Sequence, residues 1–492
     1  MKKFLQRYPL FLLLLPVFFV FHGYVENCFF IRFRDCWSLL GTYVVGALIL
    51  LALTWSLLKK DLTKAAILTS FIMAFYFFFG AIHDFFKTNH IFLHKYGILL
   101  PGFVALSIIL SIYLRKCSSF RRIVLFLNVL LLLYLAVDAG TLSWKMTNRR
   151  EFVPDDSAFP PITLTRCDSC PKPDIYFIVF DCYSGNKTLS DEYHYDNSAL
   201  YSFLEKEGFH IQKSSFSNYI RTPFSMASIL NMNYVPVTGP VSNNEYALGA
   251  IERNRVVNYL YSQGYSILNY SPFDIPGHPT PSGQPFMPAK TRLITNRTLL
   301  NYIVRDLQPW IVTHFHDSAF VATNNLLSID HLNQQLLALA MEASKKRSDL
   351  PRFIYAHLFM PHFPFLYDSL MRRRPLSDVM NADEDSLSYY LQYLPYTNAH
   401  LKELISTIKK NTGGKAVIIF MSDHGLRYMG KDKKVYRSLY NNQNAVYYPD
   451  GDYRLLYDSI SAVNQFRVVF NKLFRQDLPL LKDSVLFLPE KQ

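Results

Sequence analysis

Four stretches of this 492-residue chain hold residue types suited to metal-assisted phosphoryl chemistry. Asp181 follows the apolar run Ile175–Phe180 in YFIVFDCYSG. Thr222 precedes a helical pattern over Phe224–Leu230 in NYIRTPFSMAS. His357 and His362 stand in YAHLFMPHFPF, and Asp423 and His424 close the apolar run Ala416–Met421 in IIFMSDHG. Carboxylate oxygens and imidazole nitrogens suit zinc or manganese. A hydroxyl is a poor nucleophile near neutral pH, and metal coordination lowers its pKa and supplies alkoxide. A helix N-terminus adds free N–H groups and a positive dipole, which favour a phosphoryl oxygen. Taken singly, each residue also has an ordinary role. Asp181 could be a helix cap, Thr222 an N-cap, His362 a packed loop histidine and Ser-Asp-His-Gly a turn.

The elements that would position these residues are short and continuous in their apolarity. Ile175–Phe180, Phe353–His357 and Ala416–Met421 read as strands buried on both faces of a mostly parallel sheet. Helical patterns over His331–Lys346 and Leu387–Lys410 lie between them. The alternation predicts an α/β layered fold. Ligands in such sheets bind beyond the carboxyl ends of the strands, where Asp181, His362, Asp423 and His424 all fall.

The first part of the chain is different. Apolar segments at Pro9–Tyr24, Trp37–Leu58, Ala65–Ile82, Gly97–Leu114 and Ile123–Gly140 can each span a hydrocarbon core of about 30 Å. The first resembles a signal peptide, but no small-residue cleavage site follows it, so an uncleaved anchor is expected. Lys2, Lys3 and Arg7, then Lys59, Lys60 and Lys64, then Arg115, Lys116, Arg121 and Arg122 mark one side of the membrane as cytoplasmic. The loops with Arg32, Arg34 and Asp35 and with Asp84, Lys87 and Lys95 are mixed. An odd number of spans puts the rest of the chain outside. Lys145, Arg149 and Arg150 run against that orientation.

The net charge of +13 is read as membrane topology rather than nucleic-acid binding, because no basic stripe with interleaved aromatics occurs in the C-terminal part. His83 and Asp84, at a helix end, are the notable polar pair among the spans. Trp144–Pro173, with Pro154, Pro160, Pro161, Pro171 and Pro173, reads as an irregular connector. Cys167 and Cys170 form a CxxC with no second pair, so a local disulfide is expected over a zinc ribbon. Cys28 and Cys36 could pair as well. The division is residues 1–145 for the membrane helices, 146–172 for the connector and 173–492 for the catalytic domain.

In order and spacing, the four motifs and the preceding spans resemble the membrane-bound branch of the alkaline phosphatase superfamily. That branch includes phosphoethanolamine transferases and lipoteichoic acid synthases. The resemblance covers nearly the whole chain and implies a bacterial inner-membrane, multi-pass, sulfatase-like enzyme with a periplasmic catalytic domain. It implies a divalent metal, zinc or manganese, on Asp181, Thr222, Asp423 and His424, with Thr222 as nucleophile. Arg221, Ser225, His357 and His362 become candidate substrate contacts. His362 is matched to a phosphoryl or second-metal contact, and His357, at the end of an apolar run, has packing as its alternative.

The implied reaction moves phosphoethanolamine or phosphoglycerol from a membrane phospholipid to an envelope glycan or lipid through a phospho-threonine. The alternatives are a membrane-anchored phosphodiesterase or sulfatase-like hydrolase on the same site, and a non-catalytic envelope scaffold. Two features depart from the transferases. Asp181 stands where they usually carry Glu, and no His follows Asp-His-Gly in LRYMGKDKKVYRSLYNNQNAVYYP, which puts a second metal in doubt. The NNQNAVYYP and SAVNQFRVVFN stretches resemble a Bacteroidetes-type subgroup. Classical sulfatases convert Cys or Ser to formylglycine, and Thr222 cannot be converted.

Overall fold

A computed structural model describes residues 2–28, 31, 33–117, 119–148, 159–235, 244–281, 291–304, 326–375, 378, 379, 382, 386–428 and 437–488. Arg32, Arg149, Arg150 and Pro154 lie outside them. Two compact units emerge: Met1–Phe152 with Met287–His316, and Val153–Phe286 with Asp317–Gln492.

The first unit contains the helices Phe11–Glu26, Cys36–Leu57, Leu62–Thr88, Tyr96–Lys116 and Arg121–Thr147. The last four are long and apolar enough to cross a membrane, while Phe11–Glu26 is apolar but shorter. The last helix carries Trp144 within it and so extends into the expected connector. Several buried polar groups among these helices have partners, which a low-dielectric surrounding favours. Asn128 accepts from the Phe11 N–H at 2.7 Å and donates to the carbonyls of Leu5 and Tyr8, both at 2.8 Å. Asp138 lies 3.0 Å from His22 Nδ1.

The middle of the chain also belongs to this unit. Leu62–Thr88 departs from helical dihedrals at Phe78. Nearby, the Gly80 N–H donates to the Arg297 carbonyl at 2.8 Å. A Cβ at Gly80 would sit 2.8 Å from that oxygen, so glycine permits the approach. Tyr302 donates to Asp84 at 2.7 Å and packs edge-on against His83.

The second unit is built on six strands: β1 Ile175–Phe180, β2 His210–Ile211, β3 Ser266–Tyr270, β4 Arg352–Leu358, β5 Val417–Ser422 and β6 Asn444–Tyr447. Their order is β2-β6-β5-β1-β4-β3, with β5, β1, β4 and β3 parallel and the β6 and β2 edge antiparallel. The expected α/β domain with a mostly parallel central sheet is present, and β1, β4 and β5 are buried along their whole length.

Register decides which side chains meet. Phe180 is level with Leu358 on one side and Ser422 on the other. One row back, Val179 is level with His357 and Met421. Successive side chains alternate faces, so Asp181 and Asp423 continue the face of Val179, His357 and Met421. That face packs against Phe224, Met226, Ile229 and Leu230 of the helix Thr222–Asn231. The other face, with Tyr176, Ile178 and Phe180, packs on the helices Leu326–Lys345 and Leu387–Thr412.

Cys167 and Cys170 are disulfide-bonded. The pairing of Cys28 with Cys36 is corrected: both are buried thiols. At the opposite end of the sheet from Asp181, Arg352 is 8% exposed and fixes the start of β4. Its backbone N–H and Nε donate to Asp174 at 2.8 and 3.0 Å, and Nη1 donates to the Lys346 carbonyl at 2.8 Å. Asp174→Ala removes the counter-charge of this guanidinium and leaves it backbone carbonyls alone, and should cost about 3 kcal/mol, the low end for a broken buried pair. Thermal melting of the full chain checks this; a change near that of an exposed pair, about 0–1 kcal/mol, would contradict it.

Candidate active site

Asp181 leaves the tip of β1 fully buried, and its own N–H donates to the Leu358 carbonyl at 2.9 Å. Asp423 and His424 leave β5 with no exposure. Asp423 Oδ1 accepts from the backbone N–H groups of Cys182 at 3.1 Å and His424 at 2.9 Å, which locks the two strand tips together.

The tautomer of His424 follows from its surroundings. Nδ1 donates to the Gly425 carbonyl at 2.8 Å, so in the neutral ring Nε2 carries the lone pair. Nε2 lies 3.2 Å from Thr222 Oγ1, 3.3 Å from Asp423 Oδ2 and 3.9 Å from Asp181 Oδ1. Zinc held by nitrogen and oxygen at ~2.0–2.2 Å with tetrahedral angles spaces its ligands by about 3.3–3.5 Å. Those separations fit one cation with modest adjustment. Both Asp181 oxygens and Asp423 Oδ2 are buried without a hydrogen-bond partner, as befits ligands.

Thr222 opens a buried helix whose second residue is Pro223, which tolerates that position because its missing N–H would have no intrahelical partner. The Ser225 hydroxyl donates to the Asp423 carbonyl at 2.5 Å and ties this helix to the Asp-His-Gly turn. Ser225, expected as a substrate contact, is therefore occupied in positioning. Arg221 donates to Asn244 Oδ1 at 2.5 Å and lies over the Phe224 ring. His357 is fully buried, with Nδ1 3.1 Å from the Tyr355 hydroxyl. Its ring nevertheless faces Asp181 and Asp423 within ligand range. Burial, together with nearby His424 and His362, pushes His357 down to about 4 despite Asp423, so it is neutral at pH 7.

Burial, and then the charge of Asp423, hold Asp181 well above the usual carboxylate range. Burial pushes Asp423 up too, but His424, His357 and its hydrogen bonds outweigh it and keep Asp423 below that range. Two like charges this close do not both ionise freely, and the hydrogen-bonded one keeps its charge.

Two residues at the site were not singled out from sequence. Cys182 follows Asp181, with φ 63° and its Sγ 3.7 Å from His424 Nδ1. Arg427, three residues after His424, lines a small cavity with Cys182 and His362. Proximity to the recognised motifs was the available signal. Gly425 is fixed by space, since a Cβ would lie 2.8 Å from the Asn441 carbonyl oxygen and 3.0 Å from that of Leu439. The asparagine-rich stretch supports the tips from behind. Asn442 donates to the Ser422 carbonyl at 2.6 Å, and Gln443 to the Ser184 carbonyl at 2.8 Å.

The Sulfatase family model matches residues 177–464, more than half of the chain and all the site residues above. No curated protein sequence matches. Among solved structures, the chain is similar to the C-terminal periplasmic domain of EcEptC from Escherichia coli, at 14% identity and TM-score 0.38, covering 64% of this chain and 86% of that one. The C-terminal periplasmic domain of phosphoethanolamine transferase EptC from Campylobacter jejuni gives 14% and 0.38, with 63% and 92% covered. Phosphonate monoester hydrolase of Agrobacterium radiobacter gives 12% and 0.37, with 62% and 74% covered.

The raised Asp181 pKa has a sign that can be measured. Its favourable contribution to the metal-free fold is present below the ordinary carboxylate pKa and is lost as pH rises through the raised value. Asp181→Asn removes that loss. Without metal, the variant should melt above wild type at pH ~8, by about 2–4 °C for each kcal/mol relieved, and match it near pH ~4. Zinc should raise the melting temperature of wild type and leave the variant nearly unmoved. A metal-free variant that melts lower at both pH values would contradict the assignment.

Proposed function

The chain belongs to the sulfatase family, and from that premise we propose that it is a membrane-anchored, metal-dependent transferase of phospholipid head groups. The observation that carries this reading is the position of Thr222. Its hydroxyl sits at a helix N-terminus, 3.2 Å from His424 Nε2, where a formylglycine precursor would be needed for ordinary sulfate-ester chemistry. In this reading Asp181, Thr222, Asp423 and His424 hold the cation, zinc or manganese. When bound, it supplies Lewis acidity that lowers the Thr222 pKa and neutralises charge on the phosphoryl group.

The remaining work falls to the protein. Thr222, its proton released to solvent, attacks the phosphorus of a phosphatidylethanolamine or phosphatidylglycerol head group. The bond from phosphorus to the diacylglycerol oxygen breaks, and that oxygen takes up a proton. The head group remains as a phosphodiester on Thr222. A hydroxyl or phosphate of an envelope glycan or lipid then displaces it and regenerates Thr222. His362 and Arg427 offer positive or donor groups to the phosphoryl oxygens, and the helix N-terminus adds its dipole. The apolar helices support a bacterial inner-membrane location for the enzyme, and the basic loops favour a catalytic unit on the outer side, where donor lipid and acceptor would meet.

Full-length chain in lipid nanodiscs, with phosphatidylethanolamine or phosphatidylglycerol, provides the test. Intact-mass spectrometry should show a head-group phosphate on wild type and none on Thr222→Ala, with turnover reduced by about 10³-fold or more. Head group recovered on another molecule supports transfer, and head group released to water supports the hydrolase. Bound metal without an adduct from either lipid would overturn the donor class, and failure to bind metal would overturn the site.

A further inference from the structure

The stretch that carries Ile294 and Tyr302 comes from the middle of the chain, yet it is seated among the apolar helices of the first unit. Two glycines receive it. A Cβ at Gly23 would lie 2.5 Å from an Ile294 methyl, and a Cβ at Gly80 would lie 2.7 Å from the Tyr302 ring. Phe19 stacks on Phe77 at 4.3 Å, and both glycines follow that pair by about one turn. The two helices therefore run in the same direction, and the stretch lies across their C-terminal ends.

Helix geometry sets its depth. Leu62–Thr88 has 27 residues, which is about 40 Å of helix against a hydrocarbon thickness of about 30 Å. Gly80 stands about 12 Å from the Thr88 end, so it falls near the boundary between acyl chains and head groups. The stretch also keeps its polar groups bonded within itself. The Thr298 hydroxyl and the Asn301 amide both donate to the Thr295 carbonyl at 2.7 Å, and the Tyr302 N–H donates to the Thr298 carbonyl at 3.1 Å. Backbone satisfied in this way tolerates contact with lipid.

We propose that residues 292–304 form an interfacial phospholipid-binding element. Leu300 and Val304 lie among the upper acyl chains, and Arg292 and Arg297 meet the phosphates of the same lipids. The inference rests on the membrane-crossing helices and not on the reaction at Thr222. Leu300 and Val304, one helical turn apart, are 56% and 41% exposed. Beside them, Leu299 and Tyr302 pack with Leu99, Leu100 and Phe103 of the helix Tyr96–Lys116. That helix leaves Ile98 and Val104 exposed, so Leu300 and Val304 continue a surface that already faces lipid. Charge agrees. Arg292 and Arg297 are exposed, as are Lys87 and Lys95 around the same helix end. The cytoplasmic bias is already carried by Lys59, Lys60 and Lys64 at the other end. Guanidinium groups at this level fit lipid phosphate, with the apolar pair entering just below it.

Photocrosslinking of the full chain tests the element. Leu300 is replaced by p-benzoylphenylalanine, and the protein is irradiated in nanodiscs of phosphatidylcholine and phosphatidylserine, neither of them the proposed donor. Phe126, 62% exposed on a membrane helix, receives the same probe as the positive control. Intact-mass spectrometry should show the mass of one phospholipid added at both positions. At position 300 phosphatidylserine should be enriched over its share of the nanodisc, and Arg292→Gln with Arg297→Gln should abolish that enrichment. An adduct at Phe126 without one at position 300 would overturn the proposal. A crosslink from position 300 to a second copy, or to another part of the same chain, would overturn it too and would identify what covers Leu300. Enrichment that survives the double substitution would overturn the role given to the arginines.

Discussion

A carboxyl group sealed inside protein with no hydrogen bond to either oxygen resists ionisation unless a cation binds, and Asp181 is in that position. It ends a strand whose six residues are all buried, and it faces a second buried carboxylate on the neighbouring strand. Asp423 escapes the conflict through backbone donors and His424. Asp181 receives no comparable help. A fold that holds such a group in place is strained unless something positive binds there, and much of the surrounding architecture follows from holding it.

The clamp is mostly backbone and amide. Neighbouring parallel strands end level, so their first loop residues meet. Asn441 accepts from the Thr188 N–H and donates to the Ser215 carbonyl, Asn442 and Gln443 bind the carbonyls of Ser422 and Ser184, and Asn444 binds Gln465. Neutral amides suit this role. They satisfy buried carbonyls without adding charge to a site that already carries two carboxylates. The glycine of Asp-His-Gly has a related cause: two backbone carbonyls fill the space a side chain would need.

The strands and helices around the site were legible because their signals are local. Ile175–Phe180 is an unbroken apolar run, and it forms β1 with those bounds. The short edge strands β2 and β6 were less legible, since β6 lies inside an asparagine-rich stretch that reads as a motif rather than a strand. At the site, residues directly at strand tips could be picked from sequence. The face each one occupies depends on register, which is a property of pairing. Thus His357 read as the end of an apolar run, yet alternation places it with Asp181 and Asp423. Cys182 was overlooked for the converse reason. A residue after a strand tip has no fixed face until its backbone is known, and a φ of 63° sets its direction.

The first unit imposes a different constraint. Its helices pair several of their own polar groups: Thr54 with Thr69 at 2.8 Å, Asn128 with the turn before Phe11, Asp138 with His22. Pairs satisfied in this way stabilise a bundle and fix which helix lies beside which. The His83 and Asp84 pair is different, because its partner Tyr302 comes from the middle of the chain. Ile294, from the same stretch, is 6% exposed and packs among the apolar helices. A polypeptide begun after residue 150 would lack the surface on which Ile294 and Tyr302 are buried. It would expose apolar area and leave the Tyr302 hydroxyl without Asp84. The helices therefore fold together with the stretch that carries Ile294 and Tyr302 as one unit, and are not only a means of attachment.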